Sequence, residues 1–475
     1  MTPPELLTWS LAELASRLRA GEVSSREATL AVIAGLEEAG ARLGAVARLE
    51  PERALHAADT ADRVRAGGGE LGPLHGVPLA HKDMFYRAGE LAECGTVLMR
   101  GHRPDITATV LRRLDAAGAI DVGRLNMVEF ALGITGHNAH TGHPRNPWDH
   151  SRITGGSTSG GAAAVAARLI PATLGSDTGG SIRYPAAACG ILGLKPTYGR
   201  VSRYGCMPLS YSLDHVGPLA RSAEDLALML QAIAGQDPDD PTTSARPVID
   251  YRASMRRGGG GVRLAVALGP PDAPVDAEVA GSVEGAASVL AEAGMGVQRL
   301  DLPPIGAINA LRRVVMLVEC AALHRERVAA HCDGYNPQTV ARMEPGFQFS
   351  GVDYTRALAA RAPLLRQFCA EVFAEADILA LPTCPVTTPG IAETDTGGDP
   401  RFTAIANRLG TLVGPFNYLG LPALSLPIGH DAQGMPLGLQ LVARPFGEGL
   451  LLRAAHAFEE VAGIAARRPA LADRA

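Results

Sequence analysis

From residue 72 onward, short apolar runs alternate with stretches of helical periodicity, and that alternation restricts the chain to a sheet buried between helices. In the first half the runs are Gly76–Ala80, Ala119–Leu125 and Ala172–Gly175, with helical stretches at Thr107–Ala117 and Ala162–Leu169. Strand-like runs resume at Val262–Leu268, Ile378–Leu381, Ala423–Ile428 and Leu437–Ala443, around long helical stretches near 306–331 and 353–376. Ahead of residue 72 the chain opens with helices. Ser10-Leu-Ala-Glu13 and Ser24-Ser-Arg-Glu27 match the capping box, in which serine and glutamate satisfy each other's backbone N–H groups. Gly21 and Gly40 are read as the stops that follow, and 51–66 as an alanine-rich helix. The one linker-like break is 236–261, QDPDDPTTSARPVIDYRASMRRGGGG, dense in turn residues.

Composition excludes several classes of function. A net charge of -5 with no basic block gives no reason to expect nucleic acid as a partner. The most apolar stretch, Gly161–Gly175, carries Arg168 and Pro171 and falls short of the ~18 residues of a membrane span. Met1–Ser10 contains Glu5 and no basic cluster before an apolar run, so no secretory signal is expected there. The seven cysteines are scattered without CxxC spacing and read as small buried hydrophobes in a reducing cytoplasm. No cofactor is expected.

The basic residues are sharply biased. Of 44, only Lys82 and Lys195 are lysine, which leaves 42 arginines. A guanidinium keeps its proton in a protein, whereas a buried ammonium can be driven to the neutral amine. The two lysines are therefore candidates for work that arginine cannot do. Three segments frame that work: Gly76-Val-Pro-Leu-Ala-His-Lys82-Asp-Met, Thr154-Gly-Gly-Ser157-Thr-Ser-Gly-Gly161 and Gly175-Ser-Asp-Thr-Gly-Gly-Ser181-Ile-Arg-Tyr-Pro185. Glycine pairs before a serine let the backbone turn sharply and aim consecutive N–H groups at one point, as an oxyanion hole requires. The serine needs a base. Neither G-x-S-x-G nor S-x-x-K occurs around these residues, so a lysine from a separate segment is the natural base. At an unperturbed pKa near 10.4 only about 0.04% of a lysine is neutral at pH 7, and lowering it to ~7 costs about 4.6 kcal/mol, within reach of full burial.

The ordered motifs G-V-P-x-x-x-K-D, G-G-S-[ST]-S-G and D-T-G-G-S-I-R-x-P-A, with G-L-K-P-T-x-G-R-V-S behind them, resemble the amidase signature family. The likeness extends to Asp214-His-Val-Gly-Pro218, to Phe416-Asn-Tyr-Leu-Gly-Leu-Pro-Ala423 and to Gly438-Leu-Gln-Leu441, and is weakest over 240–410. It implies one α/β/α sandwich over 1–475, around a large mixed β-sheet. Its parts are amino-terminal helices (1–70), the signature core (72–235), the linker-like loop (236–261), and the remaining strands and pocket helices (262–475). The resemblance implies a Ser–cis-Ser–Lys triad. In it Ser181 is the nucleophile, Ser157, after a cis Gly156–Ser157 peptide, relays the proton, and Lys82 is the general base. It further implies an oxyanion hole from the N–H groups of Thr178, Gly179, Gly180 and Ser181, braced by Asp177 and Arg183. Thr158 stands where the family more often has serine; its hydroxyl could keep a supporting hydrogen bond. Lys195 lies in a segment that the family uses structurally.

Other readings of the same residues are weaker. The loop 155–161 could cradle a phosphate at a helix N-terminus, but a Walker loop would end in Gly-Lys-[Ser/Thr], and here Gly160 is followed by Gly161-Ala162. A purely structural scaffold would not be expected to keep both serines and the lysine. His137, His140 and His143 recur every third residue, yet Gly136, Gly142 and Pro144 argue for an ordered loop, not a metal-binding helix face. The expected reaction is hydrolysis of a small-molecule amide, anilide or carbamate by a monomer or homodimer, with 306–376 and the loop near 135–145 shaping the pocket. The alternative is the glutaminase subunit of a tRNA-dependent amidotransferase. Such subunits usually carry Gln where this chain has Tyr184, and an aromatic there suits a larger, less polar group.

Overall fold

Two capped helices lead into the sheets of the computed structural model, which describes residues 6–399, 401–463 and 468–469. The first five residues of the Met1–Ser10 reading lie outside them. The helix Leu11–Ala20 starts where Ser10 accepts from the Glu13 N–H at 3.1 Å and stops at Gly21, which is left-handed. The helix Ser25–Gly35 opens with the full Ser24/Glu27 capping box. Gly40 does not end it. The helix runs into a π-helical turn, Leu36–Gly40, and the left-handed residue that closes the run is Gly44, at φ +63°. Gly40 serves packing instead: a Cβ there would lie 3.0 Å from Val46 Cγ2.

Eleven strands are found among the described residues: β1 Val46–Leu49, β2 Pro78–Lys82, β3 Ile120–Leu125, β4 Ala172–Asp177, β5 Leu192–Lys195, β6 His215–Ala220, β7 Arg263–Val266, β8 Gly296–Arg299, β9 Ile378–Pro382, β10 Ala423–His430 and β11 Pro436–Ala443. They form a three-stranded sheet, β1-β3-β2, and an eight-stranded sheet, β4-β6-β5-β10-β11-β9-β7-β8. The large sheet is mixed: β7 runs parallel to β8 and β9, and the other pairs are antiparallel. Residues 80–82 of β2 run alongside 173–176 of β4. Thr173 Oγ1 donates to the Ala80 carbonyl at 2.7 Å, and the Leu174 N–H donates to His81 Nδ1 at 3.2 Å. The carboxyl ends of β2 and β4, which carry Lys82 and Ser176-Asp177, are thereby brought side by side.

Helices cover both faces of the large sheet, as in an α/β/α sandwich. Arg183–Cys189 packs on β5, β10 and β11, as does its neighbour Ser159–Ala166 on β4 and β6. Ala277–Glu292 and Glu448–Ala462 also pack on β10 and β11, and against each other. All eight residues of β11 are buried, as expected of a strand covered on both sides. Each fully buried Leu or Val of this kind contributes about 1.5–3 kcal/mol. The stretch 236–261 is not a free linker. Arg113 donates to the Ile233, Gly235 and Gln236 carbonyls, and Ser202 Oγ to Asp237 at 2.5 Å. Residues Tyr251–Met255 form a helix, with Tyr251 and Met255 buried against the helices Ala223–Ile233 and Glu448–Ala462. Those two apolar side chains, spaced four apart, explain why a turn-rich segment turns helical there.

Candidate active site

Lys82 is the last residue of β2 and is wholly buried. Its Nζ lies 2.7 Å from Ser157 Oγ and 2.8 Å from Ser176 Oγ. Burial lowers its pKa from 10.5 to about 7, against the opposing pull of the Asp214 and Asp177 carboxylates. A pKa in that range makes the neutral amine accessible near neutral pH. Ser157 stands in the loop before the helix Ser159–Ala166 and follows a cis Gly156–Ser157 peptide.

The second serine is held by a separate turn that follows β4. Ser181 is 7% exposed, and its carbonyl accepts from the Thr158 N–H at 3.3 Å, which ties the two serine loops together. Beneath the turn lies a buried polar network. Asp177 accepts from the N–H groups of Gly180 (2.8 Å) and Ile182 (3.1 Å) and forms a paired contact with Arg183, at 3.0 Å from Nε and 2.9 Å from Nη2. Arg183 also donates to the Val413 carbonyl, to Gln440 Oε1 and to Asn417 Oδ1. Asn417 in turn donates to the Asp177 carbonyl and carboxylate, at 2.8 Å each. Burial alone would raise the Asp177 carboxyl, but the Arg183 guanidinium outweighs it and holds the group well below the carboxylate range.

This network revises the set of free N–H groups. Gly180 gives its N–H to Asp177, so Thr178, Gly179 and Ser181 have the backbone N–H groups without an acceptor among the described residues. What Gly180 supplies is conformation: its φ is +121°, and a Cβ would lie 2.4 Å from Val413 Cγ2. Thr178 is fixed by its own hydroxyl, which donates to Asp214 Oδ1 at 2.5 Å while Asp214 Oδ2 caps the Leu209 and Ser210 N–H groups. Thr158 also departs from expectation. Its hydroxyl is buried with no partner among the described residues, and support comes from its backbone N–H and from methyl packing against Gly161 and Gly175.

The side chains of the remaining sequence candidates make no hydrogen bond to Lys82, Ser157 or Ser181 among the described residues. Lys195 is buried and donates to the Pro196 (3.0 Å) and Leu421 (2.5 Å) carbonyls, which makes it a brace between β5 and the segment before β10. The three histidines lie in an irregular loop, each with its own contact: His137 with Thr394 at 2.8 Å, His140 with Glu129 at 3.0 Å, and His143 accepting from the Asn138 N–H at 2.9 Å. Among the described residues no three His, Cys, Asp or Glu side chains gather as a metal site. The seven cysteines are free. Tyr184 is 1% exposed, in an apolar cluster with Ile134 and Val413, so it forms the wall behind the turn and is not presented to a ligand. Sequence reasoning missed Ser176, Asp214, Asn417 and Gln440 as parts of the site, although all four sit in motifs that it had singled out. A cavity of about 390 Å³ adjoins the centre, lined by Met84, Ser176, Tyr204, Met207, Tyr211 and Asp214 among others; neither 306–376 nor the loop near 135–145, expected to shape the pocket, contributes to this lining.

A neutral amine can take a proton from a hydroxyl, and a turn with free N–H groups can hold charge building on a carbonyl oxygen. Acyl transfer out of an amide can be served by such a pair, as in an amidohydrolase. The chain belongs to the amidase family, whose sequence model matches residues 27–452. It is 39% identical over 490 residues to the A-type subunit of the glutamyl-tRNA(Gln) amidotransferase of Moorella thermoacetica, covering 98% of this chain and 99% of that one. Among solved structures it resembles the peptide amidase of Stenotrophomonas maltophilia (TM-score 0.82, 32% identity, 97% and 98% of the two chains). It also resembles 6-aminohexanoate cyclic dimer hydrolase solved with its substrate (TM-score 0.88, 29% identity, 98% and 99%). Among the described residues no helix is long and apolar enough to cross a membrane.

Proposed function

We propose that this chain is a single catalytic domain that hydrolyses small-molecule amides or related carbamates through an acyl-enzyme on Ser181. Ser181 Oγ bonds to the carbonyl carbon as its proton passes to Ser157 Oγ, whose own proton passes to Lys82 Nζ. The oxyanion is held by the N–H groups of Thr178, Gly179 and Ser181. As the carbon–nitrogen bond breaks, the proton returns along the same path to the leaving amine, and water then releases the acyl group by the same relay. The observation that carries this reading is the Lys82 amine, wholly buried, 2.7 Å from Ser157 Oγ, with its pKa lowered by that burial to about 7. The free cysteines suit a reducing cytoplasm.

A second reading is supported by the likeness to the glutamyl-tRNA(Gln) amidotransferase: the chain would release ammonia from glutamine within a larger assembly. Against it, Tyr184 stands where the glutaminase subunits of such enzymes usually carry Gln. A panel of glutamine, short aliphatic amides, anilides and aryl carbamates, run on the isolated chain, separates the two. Turnover of simple amides or carbamates by the chain alone supports hydrolysis, whereas glutaminase activity confined to a complex with partner subunits moves the assignment to the second.

A further inference from the structure

The helix Gly306–His331 brings a guanidinium against the catalytic turn. Arg312 is 6% exposed, and a methyl group placed on Gly179 would lie 2.8 Å from its Nη1. Gly179 is one of the three residues whose N–H is free to face an oxyanion. The partners of Arg312 are weak for a buried cation: Asn309 Oδ1 at 3.4 Å from Nε and Met316 Sδ at 3.6 Å from Nη1. No carboxylate pairs with it among the described residues. Arg342, on the helix Pro337–Met343, has a buried Nε with no hydrogen-bond partner among the described residues. Burial, then the like charges of Arg342, Arg313 and Arg183, lower the pKa of Arg312 to about 9; Asp177 opposes them, but it is already held by Arg183.

A buried cation without a counter-charge is costly, and truncating one partner of a buried ion pair is destabilising for that reason. Here no described residue supplies the counter-charge, at the edge of a turn that must receive a ligand. We propose that Arg312, with Arg342 behind it, binds a carboxylate of the substrate close to the scissile carbonyl, so that the preferred substrates are monoamides of dicarboxylic acids. This deepens the amidohydrolase reading and rests on it. It also separates two kinds of carboxylate-bearing amide. An α-amino group would bring a further positive charge among the arginines, so plain ω-carboxyl amides are preferred to glutamine.

The test compares kcat/KM for succinamate and glutaramate with that for the neutral butyramide and valeramide, in the parent and in Arg312→Met. In parallel, calorimetry measures binding of succinate and glutarate to the Ser181→Ala protein with and without Arg312→Met. The parent is expected to prefer the anionic amides by at least about 30-fold, the size of a single well-placed charge contact. The ratio is expected to collapse in Arg312→Met, and dicarboxylate binding to disappear with it. Arg312→Lys, which restores a charge without the guanidinium plane, should recover part of both. No preference in the parent, or equal loss on both substrate types, overturns the proposal and leaves Arg312 as a support of the turn. Dicarboxylate binding without turnover of any amide would instead sink the hydrolase reading while upholding the anion site.

Discussion

Replacing Lys82 with arginine keeps the positive charge and removes the base, which makes it the sharpest perturbation of the relay. The fall of the Lys82 pKa from 10.5 to about 7 amounts to a net cost of about 5 kcal/mol for keeping the amine charged, burial outweighing the nearby carboxylates. The same cost on a guanidinium, whose pKa exceeds about 12, still leaves it nearly all charged at pH 7. General-base catalysis contributes about 10²–10⁴ in rate, so Lys82→Arg and Lys82→Met should each lose at least ~10² in kcat/KM. In the parent, the rate should rise with pH through about 7 and then level, as the amine loses its proton. Linkage gives an independent readout. Between about 7 and 10.5 the unfolded chain holds the lysine proton and the folded chain does not, so this group makes stability rise with pH there. Below about 7 both states are protonated and the cost is fully present. From pH 7 to 9 the parent should therefore gain about 2–3 kcal/mol relative to Lys82→Met, in which every other titrating group is common and cancels. The assays are kcat/KM against pH and urea denaturation at both pH values. Should Lys82→Arg retain more than about a tenth of parental kcat/KM, a loss under ~1.4 kcal/mol, lysine acts only as a charge and the base lies elsewhere.

Arg183→Met leaves Asp177 buried and unpaired, so urea denaturation should show a loss of about 3–5 kcal/mol, with activity falling as the turn loosens. Gly180→Ala forces a Cβ to 2.4 Å from Val413 Cγ2 at a φ of +121°; the protein should fold with kcat reduced by about 10²-fold or more, read by steady-state kinetics beside circular dichroism. Lys195→Arg should lower the melting temperature more than it lowers kcat/KM, because both Lys195 contacts are to backbone carbonyls away from the serines. Chelators should leave activity unchanged and elemental analysis should find no stoichiometric metal, since His137, His140 and His143 are each engaged elsewhere.

Strands with strong apolar runs, such as β9 and β11, were legible because pattern and burial agree in them. β5 and β6 were not read as strands. Both lie inside the sheet but carry Gly193, Lys195, Gly217 and Pro218, which local patterns assign to turns. Pro218 is accommodated because the β5–β6 ladder covers only Leu219 and Ala220 of β6. The edge strand β8 is short and mostly exposed, so it leaves no apolar signature. Within the site, Lys82, Ser157 and Ser181 were marked out by residue chemistry and the surrounding glycines, whereas the separate roles assigned to them came from the family resemblance. The capture of the Gly180 N–H by Asp177 was not, because it depends on turn geometry. Asn417 lies 240 residues from Asp177, and no local pattern carries that contact. Arg312 was invisible for a different reason: in a chain with 42 arginines, one more draws no notice until its missing counter-charge is seen.

The acyl-enzyme itself is the most direct test of the account. A fluorophosphonate probe, or a slow carbamate substrate trapped by acid quench, would be followed by intact-mass measurement and peptide mapping. One adduct per chain is predicted, on the peptide that carries Ser181, with none in Ser181→Ala and no turnover by that variant. Labelling at another residue, together with full activity in Ser181→Ala, would contradict it.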